Sequence, residues 1–307
     1  MKRKIWFHAD DYGVTAQQAK RILSCHQSGV LNSISVLPNT PALGEALDLL
    51  DQIDPDGTQI RRVLHLNFVE GRPVAGAENV PELVDDTGYF DKSFIHFWRW
   101  NHTKRGAARK ELIRQIKLEI VAQLQAVTGA FDYRITAVDS HQHYHMIPIV
   151  FDSLMEVLSE TGLGTTQICQ VRIPVDPTAP LRSNAQMCRG VPKINWVKWC
   201  ILGAYVQRNK KILHSRGIEV PVFFGIFYTC RMKKEVVEAL LPAYRNYADK
   251  KNRDLELMFH PGSLTDCNEL LDARSEELAV FYMSDDRYEE AECLKLLDKS
   301  YKEENNK

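Results

Sequence analysis

The sequence lacks an excess of charge of either sign. Its 39 Lys and Arg stand against 40 Asp and Glu, a net charge of −1. That removes any electrostatic ground for nucleic acid or an anionic membrane as partner. A long apolar run is also missing. The start, MKRKIWFHADD, meets charged residues within six positions of Ile5, too short for a signal-peptide core, and no later stretch approaches bilayer-spanning length. Cysteine occurs seven times but never as CxxC, which reads as reduced, mostly structural thiols rather than a disulfide framework. Repeats and low-complexity tracts are absent, apart from a polar tail at 301–307 ending KEENNK, expected to fray. These absences leave a soluble cytoplasmic globular protein as the expectation.

What is present is a chain of 307 residues, 44% of them hydrophobic, enough for one large core. Apolar β-branched runs mark strands at 4–9, 32–37, 62–68, 135–139, 170–173, 220–227 and 254–259. Helical periodicity lies between them at 15–27, 41–51, 110–128, 148–160, 195–214 and 233–250. In ARKELIRQIKLEIVAQLQAVTG, Leu112, Ile116, Ile120, Leu124 and Val127 line one face and Gly129 stops the helix. Strand–helix alternation implies a parallel α/β sheet, open or closed into a barrel. About seven strands without a linker favour a single barrel-like domain over 1–300. Two long connections, 70–106 and 174–194, are expected to build the active site.

Polar clusters close four strands: HADDYG (8–13), LHLNFVEG (64–71), VDSHQHYH (138–145) and MFHPG (258–262). Parallel α/β proteins bind ligands at strand C-termini, where side chains of several strands converge. Consecutive side chains of a strand face opposite ways, so Asp10 and Asp11 share a site only if the strand ends and turns there, which Gly13 permits. The plain alternative is that Asp11 starts a turn or caps the next helix. His141, His143 and His145, spaced i, i+2, share a face in extended chain, beside Asp139, and point to metal binding or acid–base work. His65 and His260, each alone at its strand, read as either core or functional residues, and His8 as structural. His26, His96, His102 and His214 read as surface or packing residues. One carboxylate and two imidazoles on a metal leave positions open for water and substrate. A spare carboxylate and a spare imidazole can then move protons. This is equipment for metal-assisted hydrolysis of an amide or ester.

The four clusters, in order and spacing, together with GRPVAGAENVPELVDDTGYF after the first histidine, resemble the YdjC-like carbohydrate deacetylases, the family that includes ChbG-type chitooligosaccharide deacetylases. The resemblance implies an irregular, seven-stranded β/α barrel and one divalent metal ion, Mg or Zn. It implies Asp11, His65 and His141 as metal ligands, Asp10 as general base and His260 as general acid. It further implies a small N-acetylated sugar as substrate, and a homodimer. His8 stands where many members carry Asn. Asp139, His143 and His145 are expected around the ligands or the substrate. Arg172 is expected on a substrate oxygen or anionic group or, with equal weight, in an ion pair with one of the carboxylates. Phe94, Phe97, Trp98 and Trp100 are expected in a loop, as walls of a carbohydrate cleft or packed under the barrel rim or in a dimer contact. Other chemistries on the same site, an esterase or phosphoesterase, or a sugar-binding relative without activity, are the alternatives.

Overall fold

The computed structural model describes residues 3–131, 135–160, 168–266 and 276–301. Of the tail expected at 301–307, Tyr301 is described and packs its ring 6.0 Å from that of Phe7; the remainder and Cys267 lie outside the described residues. Seven strands form one parallel sheet: β1 (Ile5–Tyr12), β2 (Ser33–Val36), β3 (Arg61–Leu66), β4 (Ile135–Ser140), β5 (Gln170–Val171), β6 (Val222–Phe224) and β7 (Leu255–Phe259). Their order is β5-β4-β3-β2-β1-β7-β6. The sheet curls until its edges meet at a single parallel bridge, Gln170 to Glu219, just ahead of β6. The result is an α/β barrel with a thin seam.

Alternation along β1 explains the layering. Ile5, Phe7 and Ala9 belong to the apolar core, whereas His8 and Asp10 are buried among the polar side chains of neighbouring strands. The barrel interior is therefore charged. Arg61 pairs with Glu256, which also accepts from Arg172 Nε at 2.5 Å.

The described helices are α1 (Ala16–Ser28), α2 (Leu43–Ile53), α3 (Phe94–Thr103), α4 (Gly106–Phe131), α5 (Pro148–Glu160), α6 (Thr178–Arg182), α7 (Ala185–Gly190), α8 (Lys193–Gly203), α9 (Val206–Ser215), α10 (Lys234–Lys251), α11 (Glu276–Tyr282) and α12 (Asp285–Leu296). The helix expected over 195–214 is two, broken at Ala204 and Tyr205. The aromatic segment expected as a loop is helix α3, capped by Ser93, whose side chain accepts from His96 N. Among the described residues, no helix is long and apolar enough to cross a membrane. None of the six described cysteines is bonded to another.

Candidate active site

The first strand does not end at Ala9. It continues to Tyr12 through a bulge, its pairing with β2 shifting between Ala9 and Tyr12. Asp11 sits in the left-handed region at φ 62°, and Gly13 at 97°. Gln18 holds the bulge: its Nε2 donates to Asp11 O at 2.6 Å and its Oε1 accepts from Gly13 N at 3.2 Å. The bulge brings both carboxylates into one cavity of about 880 Å³. Asp11 is not the helix cap; Thr15 accepts from Gln18 N instead.

Asp11, His65 and His141 come together. Asp11 Oδ1 lies 3.4 Å from His65 Nε2 and 2.9 Å from His141 Nδ1. Buried His65 Nε2 and His141 Nε2 have no hydrogen-bond partner, and such orphaned ring nitrogens beside a carboxylate are what a cation would satisfy. The three ligand atoms lie within 4.8 Å of one another, so these residues fit a divalent metal. Asp139 Oδ1 sits 2.6 Å from His65 Nδ1, the arrangement that orients a ligating imidazole. Burial pushes the His65 imidazole down, but Asp139, Asp11 and Asp10 outweigh it and raise it to about 10. For Asp11, burial pushes upward, and His141, His65 and Arg287 override it to hold the carboxyl well below its usual range.

Asp10 faces a different set. Arg172 Nη1 and Nη2 grip its two oxygens at 2.9 Å each, and His8 Nε2 lies 3.2 Å away. Burial raises the Asp10 carboxyl, yet Arg172, His8 and His65 keep it well below the ordinary value. His260 Nε2 stands 3.8 Å from Asp10 Oδ2. A second compact group, His8, Asp10 and Asp139, already encloses the Arg172 guanidinium, 2.8 Å from Asp139 Oδ2.

The histidine triplet does not share an extended face. Residues 141–146 form a 3-10 turn interrupted by Gln142 and His143, both at positive φ. His145 is spent inside the protein, between Ser140 Oγ at 2.6 Å and Arg172 O at 2.8 Å. His143 lines the cavity. Of the two readings of Arg172, the geometry realises the ion pair; it is 2% exposed and bound to Asp10, Asp139 and Glu256. Trp98 and Trp100 do not line the cavity, which takes Phe90 and Phe94 instead. Trp100 packs on Phe97, while Trp98 lies against His102. The connection 70–106 supplies Glu70, Asp85, Asp91 and Lys92 to the wall, whereas 174–194 supplies nothing and folds into α6 and α7.

Three residues escape a reading of the sequence. Glu70, inside LHLNFVEG, reaches 3.4 Å from His141 Nε2 and accepts from Tyr282 Oη at 2.5 Å. Arg287 donates to Asp11 Oδ2 at 3.1 Å. Glu290 accepts from the backbone N–H of His260 and of Met232. The last two sit in DDRYEEAECLKL, whose charge density looks like a solvated helix face, yet both are fully buried.

A curled parallel sheet carrying an aspartate and two histidines at its strand ends defines a class: α/β barrel proteins with a metal-competent site at the C-terminal rim. Within that class the chain belongs to the YdjC-like protein family, whose model matches residues 4–303. It is 30% identical over 156 residues to a carbohydrate deacetylase of Thermoanaerobacter pseudethanolicus, covering 51% of this chain and 57% of that one. It is 28% identical over 164 residues to a chitooligosaccharide deacetylase of Escherichia fergusonii, covering 53% and 59%. A Danio rerio carbohydrate deacetylase matches at 29% over 236 residues, 73% of this chain and 65% of that one. The chain thus spans little more than half, and at most 65%, of these three relatives' lengths. A crystal structure from Enterococcus faecalis V583, provisionally described as a cellobiose-phosphate cleavage protein, shares the fold at a TM-score of 0.63 and 18% identity. That match covers 99% of this chain and 95% of the other.

Proposed function

We propose that this protein is a metal-dependent carbohydrate deacetylase that removes acetyl from small N-acetylated sugars, chitooligosaccharide-like compounds such as diacetylchitobiose or its phosphate. The observation that carries the reading is the division of two adjacent carboxylates within one cavity, Asp11 toward His65 and His141 and Asp10 toward His260. The names of the relatives agree with it.

Asp11, His65 and His141 would hold the cation, Mg or Zn. When bound, it supplies Lewis-acid polarisation of the amide carbonyl and a lowered pKa for water. Asp10, ionised and fixed by Arg172, accepts the proton of the attacking water. The water oxygen adds to the acetamide carbon, the C–N bond breaks, and His260 delivers a proton to the departing nitrogen. Acetate and a free amino sugar result. Phe90 and Phe94 on the cavity wall offer apolar faces to a sugar ring.

The test is acetate release from N,N′-diacetylchitobiose, with and without added divalent cation, beside Asp11→Ala. Release that depends on the cation and vanishes in the variant is expected. No release under any cation, from protein that binds one, would overturn the sugar assignment.

A further inference from the structure

The cation-side aspartate has two oxygens, and the structure uses them differently. Oδ1 faces His141 and His65 at 2.9 and 3.4 Å. Oδ2 receives Arg287 Nη1 at 3.1 Å. Arg287 comes from α12 and has no exposure at all. Its guanidinium lies 4.8 Å from each of the Phe281 and Tyr282 ring centres, and Nη2 donates to Pro261 O at 3.3 Å. A buried cation held this way cannot swing into water, and moving it off Asp11 would leave it unpaired at high cost.

We propose that Arg287 is a positioning residue that reserves one oxygen of Asp11 and so sets which cation the site accepts. This rests on the metal reading above. With Oδ2 engaged, the three ligating residues offer one oxygen and two imidazole nitrogens. That donor set suits a small borderline cation with open positions, as in catalytic zinc sites. It disfavours calcium, which gathers six to eight oxygens and often takes both oxygens of a carboxylate. Nothing in the charged run DDRYEEAECLKL announces this role, because the partner lies 276 positions away.

The experiment measures dissociation constants for Zn²⁺ and for Ca²⁺, each as the metal alone, by competition with a fluorescent chelator. It compares the wild type with Arg287→Met. The wild type is expected to prefer zinc. In Arg287→Met the freed oxygen narrows the zinc-over-calcium ratio by about tenfold, within the range that partners of metal ligands command. A ratio within about twofold of the wild type in folded Arg287→Met overturns the assignment while leaving the metal reading intact. A wild type that binds no divalent cation overturns both. Should Arg287→Met not fold, Arg287→Gln removes the charge but keeps a polar end in the pocket, and the same narrowing or its absence decides. Because the readout is a ratio within one variant, general loosening of the fold does not imitate it.

Discussion

At the residue scale, neighbouring carboxylates acquire different work from different partners. Asp10 is clamped by Arg172 and looks toward His260, whereas Asp11 looks toward two imidazoles. Asp10→Asn and His260→Ala should each lower acetate release by about 100-fold or more while metal content stays near that of the wild type. Metal analysis beside turnover checks this, and lost metal would reassign the residue. A second consequence concerns protons. His65, pushed up to about 10 in the metal-free protein, is protonated at neutral pH, and if it serves as a ligand as proposed it would give up that proton on metal binding. Zinc uptake at pH 7 should therefore release about one proton per site, measurable calorimetrically in buffers of different ionisation enthalpy. The motif residues of this site were legible because histidine and aspartate interrupting apolar strands are conspicuous. Arg287 and Glu290 were not, since a buried charge on a helix looks in sequence like a surface one.

At the element scale, all seven strands were legible from β-branched runs, while the local backbone was not. The bulge at Asp11 depends on Gln18, a side chain from the first turn of α1 satisfying two backbone groups. The turn at Gln142 and His143 breaks the i, i+2 face by two left-handed residues that no alternation pattern encodes. The aromatic stretch 94–103 is helical because Ser93 caps it and Phe97 buries against Phe68 and Tyr144, a tertiary cause. One corner of α12 packs very closely on the end of α1. A Cβ on Gly29 would stand 2.2 Å from Leu294 O and 2.7 Å from Lys295 Cα, backbone atoms that cannot step aside. Gly29→Ala should thus cost about 1–3 kcal/mol in urea unfolding. Unchanged stability would mean that α12 does not press on that corner.

At the scale of the whole molecule, buried titrating groups set a pH window for the metal-free fold. Burial pushes His145 down to about 4 from 6.5; a depressed base stabilises fully above 6.5 and loses that contribution as pH falls toward 4. Burial raises Glu256, but Arg172 and Arg61 override it to about 2 from 4.5, so its contribution is lost as pH falls from 4.5 toward 2. His65 runs the other way: raised from 6.5 to about 10, it stabilises below 6.5 and loses its contribution as pH climbs to 10. The urea midpoint of the metal-free protein should peak near neutrality and fall on both sides, and a flat profile from pH 5 to 9 would contradict the assignment of these groups. The contact between Arg287 and Asp11 carries a last consequence, for the making of the protein. Asp11 is synthesised 276 residues before its guanidinium partner. A nascent chain stopped before α12 carries both aspartates, His65 and His141, yet lacks the Arg287 charge beside Asp11 and the Glu290 carboxylate that accepts from His260 N. Long-range closure of this kind carries a high loop-closure cost, so competence should arrive abruptly, with α12, rather than growing as the barrel fills.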